Sequence, residues 1–276
     1  MSYEVLSGRE QGQEFIFLQK GARFGPVKSP RFRVLASDYD MTLADGNRLD
    51  PATVEALKKA RAAGIRLVLV TGRTLPYICG ADGLTRDEAS LFDRIVSENG
   101  AILYDPATNR AKVLGSPPAV ELIRQVRELV GEDNAVVGWG SLHVPLEHAP
   151  VIADMAKRLG LHLHWIPGDN HAVFVNIGID KASGLRAAMR ELHIPMRSVV
   201  AVGNGSNDVA MVDRHRSGVG MGVAVANAVP ELKAVADLVT KACCASGVRE
   251  LISGLIQHTL KPREREAGGR GLSDCA

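Results

Sequence analysis

The sequence predicts an α/β fold in which a doubly wound parallel sheet is interrupted by an inserted α+β segment. Along most of the 276 residues, short apolar segments alternate with amphipathic ones, as strand–helix–strand units require. The stretch 101–178 departs from this alternation and combines a hairpin, two helices and two further strands. Polar motifs follow several of the apolar segments, and an open α/β sheet binds its ligands at the ends of such strands.

The first half of the predicted sheet contains a helix with typical signals at both ends. Asp50 precedes Pro51, which places a capping carboxylate before a proline at the first helical position. Gly64 then ends the helix, because glycine readily adopts the left-handed conformation of a helix terminus. Apolar runs around this helix predict strands at 34–37, 65–70 and 94–97.

The insertion and the second half of the sheet are interpreted by the same periodicities. Within the insertion we predict a hairpin over 101–114, helices at 118–130 and 149–160, and strands at 161–166 and 171–177. After it, alternating segments again predict a sheet with covering helices. These helices are 181–193, 207–215 and 248–258, and the strands are 198–202, 219–226 and 237–240.

The two ends of the chain lack the alternating pattern. Residues 1–30 are polar and irregular except for an apolar stretch around 15–18, so we expect an N-terminal arm with one strand. Residues 263–276 are rich in Arg, Glu and Gly, which predicts a flexible tail. The first residues, MSYEVLSGREQ, do not form the basic and then apolar leader that secretion requires.

Composition and charge restrict the classes of function. Hydrophobic residues make up 46% of the chain and charged residues 23%, as in an ordinary globular protein. The 33 Lys and Arg barely outnumber the 31 Asp and Glu, which argues against a nucleic-acid partner. No apolar run reaches the ~18–20 residues that cross a bilayer, so we expect no membrane partner. Four cysteines without metal-binding spacing predict reduced thiols in a cytoplasmic protein: Cys79, Cys243, Cys244 and Cys275.

The strongest chemical motif is the segment 38–42, Asp-Tyr-Asp-Met-Thr, which directly follows a predicted buried strand. Two carboxylates at a strand end suit different tasks, since one can attack phosphorus as a nucleophile while the other transfers protons. Because clustered carboxylates repel each other, a hard cation such as Mg²⁺ is expected beside them. Taken alone, the motif also fits a solvated acidic loop.

Three further segments strengthen the chemical interpretation. Thr71 and Gly72 end the next strand, where a hydroxyl and an open backbone suit a phosphate group, although a plain turn also fits. The Arg73 side chain could contact the insertion or a substrate anion, and a salt bridge at the helix start is an equally good interpretation. Lys181 begins the helix after the insertion and can balance phosphate and carboxylate charge, although a surface lysine also fits. The segment 203–208, Gly-Asn-Gly-Ser-Asn-Asp, offers glycines and oxygen ligands at a helix start.

In this order, the four segments resemble the motifs of the haloacid dehalogenase-like (HAD) phosphohydrolase superfamily over about residues 33–260. The long insertion, with 97–104 (SENGAILY) and 224–228 (AVANA), resembles its Cof-type branch, subfamily IIB. The fold that the resemblance implies is a Rossmann-like core with a C2-type cap domain. The implied boundaries are 31–100 and 179–262 for the core and 101–178 for the cap.

The resemblance also implies a role for each motif residue. Asp38 corresponds to the nucleophile and Asp40 to the general acid and base. Thr71 and Lys181 correspond to the residues that hold the transferred phosphoryl group. The implied phosphate-binding set also contains Gly72 and Asn207, and the implied Mg²⁺ ligands are Asp38, Asp40, Asn204 and Asp208.

Two residues depart from the pattern of the superfamily. Met41 replaces the usual glycine of the first motif and adds bulk beside the nucleophile. Asn204 replaces the usual metal-binding aspartate, which keeps an oxygen ligand but removes one negative charge. Since the affinity for a hard cation depends on the charge of its ligands, we expect weak Mg²⁺ binding unless Asp208 compensates.

These residues predict Mg²⁺-dependent hydrolysis of a small phosphorylated metabolite through an aspartyl-phosphate at Asp38. By the resemblance, the cap selects the substrate, which is expected to be a sugar phosphate or a phosphoglycolate-like acid. Either a monomer or a homodimer is compatible with this activity. The alternative is a catalytically weakened relative that binds a phosphorylated ligand as a regulatory module, for which Asn204 and Met41 are the motivation.

Histidines and tryptophans of the insertion carry weaker signals. His162 and His164 alternate with apolar residues, so their imidazoles are expected on one side of a strand. They fit the polar face of a sheet, a zinc pair or, with Asp169 and Asn170, a surface that faces the substrate. Trp139 and Trp165 are expected to pack against neighbouring side chains, although stacking on a ligand also fits.

Overall fold

The computed structural model describes residues 32–81, 83–168 and 170–260, together with the backbone of three strands near the N-terminus. The chain forms two compact units, Met1–Arg31 and Phe32–Ala276. The first contains an antiparallel sheet of β1 (Leu6–Glu10), β2 (Gln13–Leu18) and β3 (Ala22–Arg23), where the sequence predicted one strand. The predicted tail 263–276, Asp169 and Cys275 lie outside the described residues.

The described part of the second unit contains twelve strands, which form two sheets. Two of them, β9 and β10, were not predicted, because glycines at 138 and 140 interrupt the apolar pattern there. The strands are β4 (Val34–Ser37), β5 (Arg66–Val70), β6 (Arg94–Ser97), β7 (Ile102–Asp105), β8 (Arg110–Val113), β9 (Val136–Val137), β10 (Leu142–Pro145), β11 (Leu163–Pro167), β12 (His171–Asn176), β13 (Val199–Gly203), β14 (Met221–Ala224) and β15 (Leu238–Val239).

The central sheet has the strand order β15-β14-β13-β4-β5-β6-β7-β8. Its strands run parallel from β15 to β6, whereas β7 and β8 are antiparallel. The sequence analysis placed the β7–β8 hairpin at the start of the insertion, but its strands extend the central sheet. The hairpin signal is local, and only pairing with β6 decides to which sheet it belongs. The separate sheet therefore begins at β9, and the division into core and cap domains stays a prediction.

The helices agree with the sequence pattern best where end signals are strong. The α1 helix begins as predicted, since Asp50 Oδ1 accepts a hydrogen bond from the Thr53 N–H at 2.9 Å. The predicted helix 207–215 is instead a 3₁₀ turn followed by α7 and α8, which extended backbone at Asp213 separates. Among the described helices, none has the length and apolarity that crossing a membrane requires. The helices are α1 (Pro51–Ala62), α2 (Leu75–Ile78), α3 (Arg86–Ala89), α4 (Val120–Val130), α5 (Ala149–Arg158), α6 (Lys181–Glu191), α7 (Val209–Val212), α8 (Arg214–Ser217), α9 (Pro230–Val235) and α10 (Cys244–Ile256).

Helices cover both faces of the central sheet, as predicted. Leu57 of α1 and Leu251 of α10 pack in the hydrophobic cluster on one face. Leu185 of α6 and Leu232 of α9 pack in the cluster on the other face. Because both faces are buried, the central strands consist of nearly continuous apolar residues and show no alternation.

The second sheet is antiparallel, with the order β11-β12-β10-β9. Phe174 packs on one face with Leu122 of α4 and Ile152 of α5. The two tryptophans of the insertion are partly exposed, Trp139 by 49% and Trp165 by 37%. The sequence could not show this, because an indole fits both a core and a surface that binds ligands.

Candidate active site

The carboxyl ends of three neighbouring strands carry predicted site residues. Asp38 follows β4, Thr71 follows β5 and Asn204 follows β13, and these strands are adjacent in the order β13-β4-β5. Lys181 is the first residue of α6, which Asp180 caps by accepting a hydrogen bond from the Ser183 N–H at 2.7 Å. Since parallel strands end at one edge of the sheet, the motif residues converge there.

The side chains of Lys181, Asp38 and Asp208 form one buried cluster. Lys181 Nζ donates a hydrogen bond to Asp38 Oδ1 at 2.6 Å and another to Asp208 Oδ1 at 2.7 Å. The exposed fractions of the three residues are only 1%, 4% and 0%. One ammonium therefore faces two buried carboxylates, which leaves an excess of negative charge that favours a cation.

Burial changes the acid–base behaviour of this cluster. It raises the pKa of Asp38 to about 7, with the Asp208 carboxylate adding to the effect and Lys181 opposing it. Burial alone would lower the pKa of Lys181, but the two carboxylates outweigh it, so the pKa of the ammonium is raised. Lys181 thus stays charged at neutral pH, whereas burial makes ionisation of Asp38 less favourable than that of an exposed aspartate.

Asp208 anchors the loop that carries Asn204. Its Oδ2 accepts hydrogen bonds from the backbone N–H groups of Asn204 at 3.0 Å and Gly205 at 2.9 Å, while its Oδ1 accepts from Lys181. A Cβ on Gly203 would lie 2.4 Å from the Asp208 carboxylate, so this approach requires glycine. Both oxygens of Asp208 are engaged, and the contacts favour a positioning role over direct metal ligation.

The Thr71 loop and the Asn207 loop meet at Asn99. Thr71 is fully buried, and its Oγ1 accepts a hydrogen bond from the Arg73 N–H at 3.1 Å. Asn207 Nδ2 donates to Asn99 Oδ1 at 3.2 Å, and a Cβ on Gly72 would lie 3.2 Å from Asn99 Nδ2. The predicted phosphate-binding residues of these two loops thus lie near each other. Asn99 links them, a role for which its position in the sequence gives no signal.

Asp40 lies at the exposed edge of the cluster and is held by Arg73. Arg73 Nε donates to both carboxylate oxygens of Asp40 at 3.0 Å, and its Nη2 donates to Asp40 and to Asn47 Oδ1. The guanidinium carbon also lies 4.9 Å from the ring centres of Tyr39 and Tyr77. The sequence left three contacts open for Arg73, and the structure shows the salt bridge. Its partner is Asp40, the predicted acid–base residue.

The donor atoms at this site fit a hard divalent cation. Thr42 Oγ1 donates to Asn204 Oδ1 at 3.0 Å, which brings the Asn204 amide to the loop of Asp38 and Asp40. Carboxylate, carbonyl and amide oxygens beside excess negative charge suit Mg²⁺. Within the described ranges, no three His, Cys, Asp or Glu side chains form a metal cluster. A cation here would therefore depend on the neutral amide and a backbone carbonyl as well as on Asp38.

The histidines of the second sheet make internal contacts. His143 and His164 lie on the sheet face opposite to that of Phe174, according to the strand register. His164 Nε2 is 2.9 Å from the Ile179 carbonyl oxygen, to which it donates. Burial, together with nearby His171, lowers the pKa of His143 to about 4, so this imidazole is neutral at physiological pH.

A model of the haloacid dehalogenase-like hydrolase family matches residues 35–135 and 149–252, which is well over half of the chain. The chain belongs to this family. The resemblance drawn from the ordered motifs is thereby confirmed, and the structure described above is that of a HAD-like hydrolase. The matched segments include Asp38, Thr71, Lys181 and Asn204, the residues that begin or carry the four motifs.

Curated relatives and solved structures extend over most of this HAD-like chain. The phosphoglycolate phosphatase of Methanothermobacter thermautotrophicus is 28% identical over 229 residues, which cover 80% of this chain and 97% of the relative. That of Haloarcula marismortui is 29% identical over 238 residues, which cover 79% and 95%.

Two solved structures share the fold. A haloacid dehalogenase-like hydrolase from Bacteroides thetaiotaomicron superposes with a TM-score of 0.66 at 20% identity, covering 80% of this chain and 98% of the other. A HAD subclass IIB sugar phosphatase superposes with a TM-score of 0.64 at 18% identity, covering 81% and all of the other chain. These likenesses confirm the predicted Rossmann-like α/β fold.

Proposed function

We propose that this HAD-like hydrolase is a Mg²⁺-dependent phosphatase that cleaves a small phosphomonoester through an aspartyl-phosphate at Asp38. The observation that carries the proposal is the Lys181 ammonium, which lies within 2.7 Å of both Asp38 and Asp208 in a buried site. It orients one oxygen of Asp38 and adds positive charge where a phosphoryl group would be held. The names of the curated relatives support a phosphatase with a small substrate.

In the first step, Asp38 attacks phosphorus and displaces the alcohol. Because Lys181 holds Oδ1, Oδ2 is the oxygen that forms the new bond to phosphorus. The bond between phosphorus and the ester oxygen breaks, and protonated Asp40 gives its proton to that oxygen. Thr71 and Lys181 bind the phosphoryl oxygens during the transfer, with Gly72 and Asn207 beside them.

In the second step, water releases phosphate from the aspartyl-phosphate. The Asp40 carboxylate, left ionised by the first step, takes a proton from the water that attacks phosphorus. The acyl-phosphate bond breaks and Asp38 regains its carboxylate, so one ester and one water give one alcohol and one phosphate. The Arg73 guanidinium holds both oxygens of the ionised Asp40 carboxylate in the resting site, and one oxygen leaves this pair for each proton transfer.

The Mg²⁺ ligands we propose are the Asp38 carboxylate, the Asp40 backbone carbonyl and the Asn204 amide oxygen. When bound, Mg²⁺ supplies electrostatic stabilisation of the negative charge on the phosphoryl group. Asp208 does not ligate the cation in this proposal; it holds Lys181 and the Asn204 loop in place through hydrogen bonds. Asn204 stands where the superfamily usually has an aspartate, which weakens the affinity for the cation without removing a ligand atom.

The proposal is tested by hydrolysis of p-nitrophenyl phosphate and phosphoglycolate with excess Mg²⁺, using Asp38→Asn and the surface variant Asp87→Asn as its control. We expect the first variant to lose at least ~10³-fold in kcat, because the amide is a poor nucleophile, and the second to match wild type. Borohydride reduction during turnover should convert residue 38 to homoserine, which mass spectrometry detects. Phosphate binding without turnover in wild type would instead favour the regulatory module.

A further inference from the structure

Glu98 is a buried carboxylate that the proposed mechanism does not use. It is 0% exposed and directly follows β6, where the chain turns from the last parallel strand into the hairpin. Its φ of 55° and that of Asn99, 51°, lie in the left-handed region, which disfavours side chains with a Cβ. Since such strain persists only where the surroundings fix it, the contacts of this turn hold it in place.

Four uncharged donors from two parts of the chain converge on the Glu98 carboxylate. Oε1 accepts a hydrogen bond from the Trp139 N–H at 3.1 Å and, at 3.5 Å, from the Leu75 N–H at the start of α2. Oε2 accepts from the Gly140 N–H and from Ser141 Oγ, both at 2.8 Å. Three of the four donors belong to the loop 138–141, so the carboxylate ties this loop of the insertion to the central sheet.

The loop 138–141 is shaped to receive this carboxylate. The Gly138 N–H donates to the Ser141 carbonyl at 2.8 Å, which closes the β9–β10 hairpin. A Cβ on Gly138 would lie 2.4 Å from Glu98 Oε2 and 2.6 Å from Ser141 Oγ. A Cβ on Gly140 would lie 2.9 Å from the Ala101 Cβ. Both positions therefore require glycine for the loop to come this close.

The turn that carries Glu98 is also bonded to the phosphate-binding loop. The Glu98 N–H donates to the Arg73 carbonyl at 2.9 Å, and the Asn99 N–H donates to the Thr71 carbonyl at 3.1 Å. The position of the loop 138–141 is thus fixed relative to Thr71 and Arg73. The backbone from which the Trp139 side chain projects is therefore held in place.

Three large, partly exposed apolar side chains belong to segments that are linked to the Asp40–Arg73 pair. Met41, Tyr77 and Trp139 are 49%, 44% and 49% exposed. Met41 follows Asp40 in the chain, the Tyr77 ring lies 4.9 Å from the Arg73 guanidinium, and Trp139 is tied to the first residue of the helix that bears Tyr77. Exposed apolar side chains on three linked segments are typical of a surface that binds a ligand.

We propose that Met41, Tyr77 and Trp139 form an apolar rim that binds the organic part of the phosphorylated substrate, and that Glu98 is the positioning residue that holds Trp139 in this rim. The inference rests on the proposed function, because the rim adjoins its acid–base residue. The substrate class is a phosphate ester whose organic part has an apolar face, such as an aryl or sugar ring. An indole stacks on such a face, whereas a two-carbon acid offers little surface for it.

The direct test is Trp139→Ala, with Trp165→Ala as the matched control, since Trp165 is also partly exposed but lies on β11 outside the rim. The KM for p-nitrophenyl phosphate should rise about tenfold in the first variant, as expected for the loss of one aromatic contact. The KM for phosphoglycolate should rise less, and the inhibition constant of inorganic phosphate should stay within about twofold, because phosphate has no organic part. The control should match wild type in all three.

Glu98→Gln tests the positioning role. The NH₂ group of glutamine would replace one carboxylate oxygen, so that it would face N–H or O–H donors and could not accept their hydrogen bonds. We expect the same selective rise in KM, with kcat changed far less. In a Trp139→Ala background the Glu98 substitution should add nothing further, since its effect acts through the indole. If Glu98→Gln does not fold, Ser141→Ala removes one donor and should give a smaller rise of the same kind.

The outcomes separate this inference from the proposed function. A wild-type protein without phosphatase activity would overturn the proposed function and the inference with it. Active wild type with an unchanged KM in Trp139→Ala would overturn the apolar rim alone. An equal weakening of inorganic phosphate would also overturn it, because that pattern indicates general damage to the site. Additive effects of Glu98→Gln and Trp139→Ala would overturn the positioning role of Glu98.

Discussion

The chain buries carboxylates in two neighbouring regions and satisfies them in different ways. Asp38 and Asp208 share one ammonium, so negative charge remains in excess and the pKa of Asp38 is raised by burial. Glu98 accepts hydrogen bonds from four uncharged groups, three of them in one loop. The first arrangement stays reactive because its charge is incompletely balanced, whereas the second uses all its acceptor capacity to fix one piece of backbone.

The largest expected effect comes from removing the Lys181 ammonium, which among the described residues is the cation that pairs with Asp38 and Asp208. Lys181→Met leaves two buried carboxylates without their partner and should lower the free energy of unfolding by ~3–5 kcal/mol, with loss of phosphatase activity. Urea denaturation measures the difference. The control is Lys59→Met, whose ammonium is exposed on α1. A loss below ~1 kcal/mol for Lys181→Met would mean that the cluster is not held by charge.

The second region contains a partly buried imidazole, His143, that makes it sensitive to acid. His143 Nε2 lies 3.0 Å from Ser141 Oγ, which donates to Glu98, and the pKa of His143 is lowered to about 4 by burial and by His171. Because the unfolded histidine titrates near 6.5, its contribution to stability is complete above that pH and decreases as the pH falls toward 4.

We therefore expect His143→Gln to lose less stability on acidification than wild type does. Between pH 7.5 and pH 5 the difference in unfolding free energy between the two proteins should shift by about 2 kcal/mol in favour of the variant. Chemical denaturation at both pH values measures this shift, and exposed His215→Gln serves as the control. Parallel pH dependences in wild type and His143→Gln would contradict the role of this imidazole.

Charge can also be added to the first region. Asn204→Asp restores a carboxylate at the position where the amide accepts from Thr42. The Mg²⁺ concentration for half-maximal activity should fall about tenfold, because the affinity for a hard cation increases with ligand charge. Asn109→Asp, at an exposed turn, should leave it unchanged. An unaltered Mg²⁺ requirement in Asn204→Asp would show that the amide does not limit cation binding.

The smallest expected loss of stability concerns Asp50, a partly exposed carboxylate that, like Glu98, accepts hydrogen bonds from a backbone N–H and a hydroxyl. Asp50 caps α1 through the Thr53 N–H and hydroxyl and also pairs with Arg249. Asp50→Ala should lower the free energy of unfolding by ~1 kcal/mol, and Asp50→Asn, which keeps an acceptor, by less. Thermal denaturation of both variants measures the difference. Equal losses would assign the effect to the Arg249 pair and not to the cap.

The periodicity of the sequence was sufficient for most elements of the second unit. Buried parallel strands are continuous apolar runs, and signals such as Asp50-Pro51 mark a helix start within a few residues. The short strands β9 and β10 were missed because turns and glycines leave too few residues for an alternating pattern. The β7–β8 hairpin was recognised, but its sheet was not, since pairing with β6 is a tertiary contact.

For the candidate site, the sequence by itself determined which residue types stand at the strand ends, and their order identified the family. Only the tertiary structure decided that one lysine lies between Asp38 and Asp208, that Arg73 pairs with Asp40, and that Glu98 holds a loop of the insertion. The physical reason is the distance along the chain over which each kind of interaction acts. Periodicity and capping act over a few residues, whereas Lys181 and Asp38 are 143 residues apart and meet only when the whole sheet has formed.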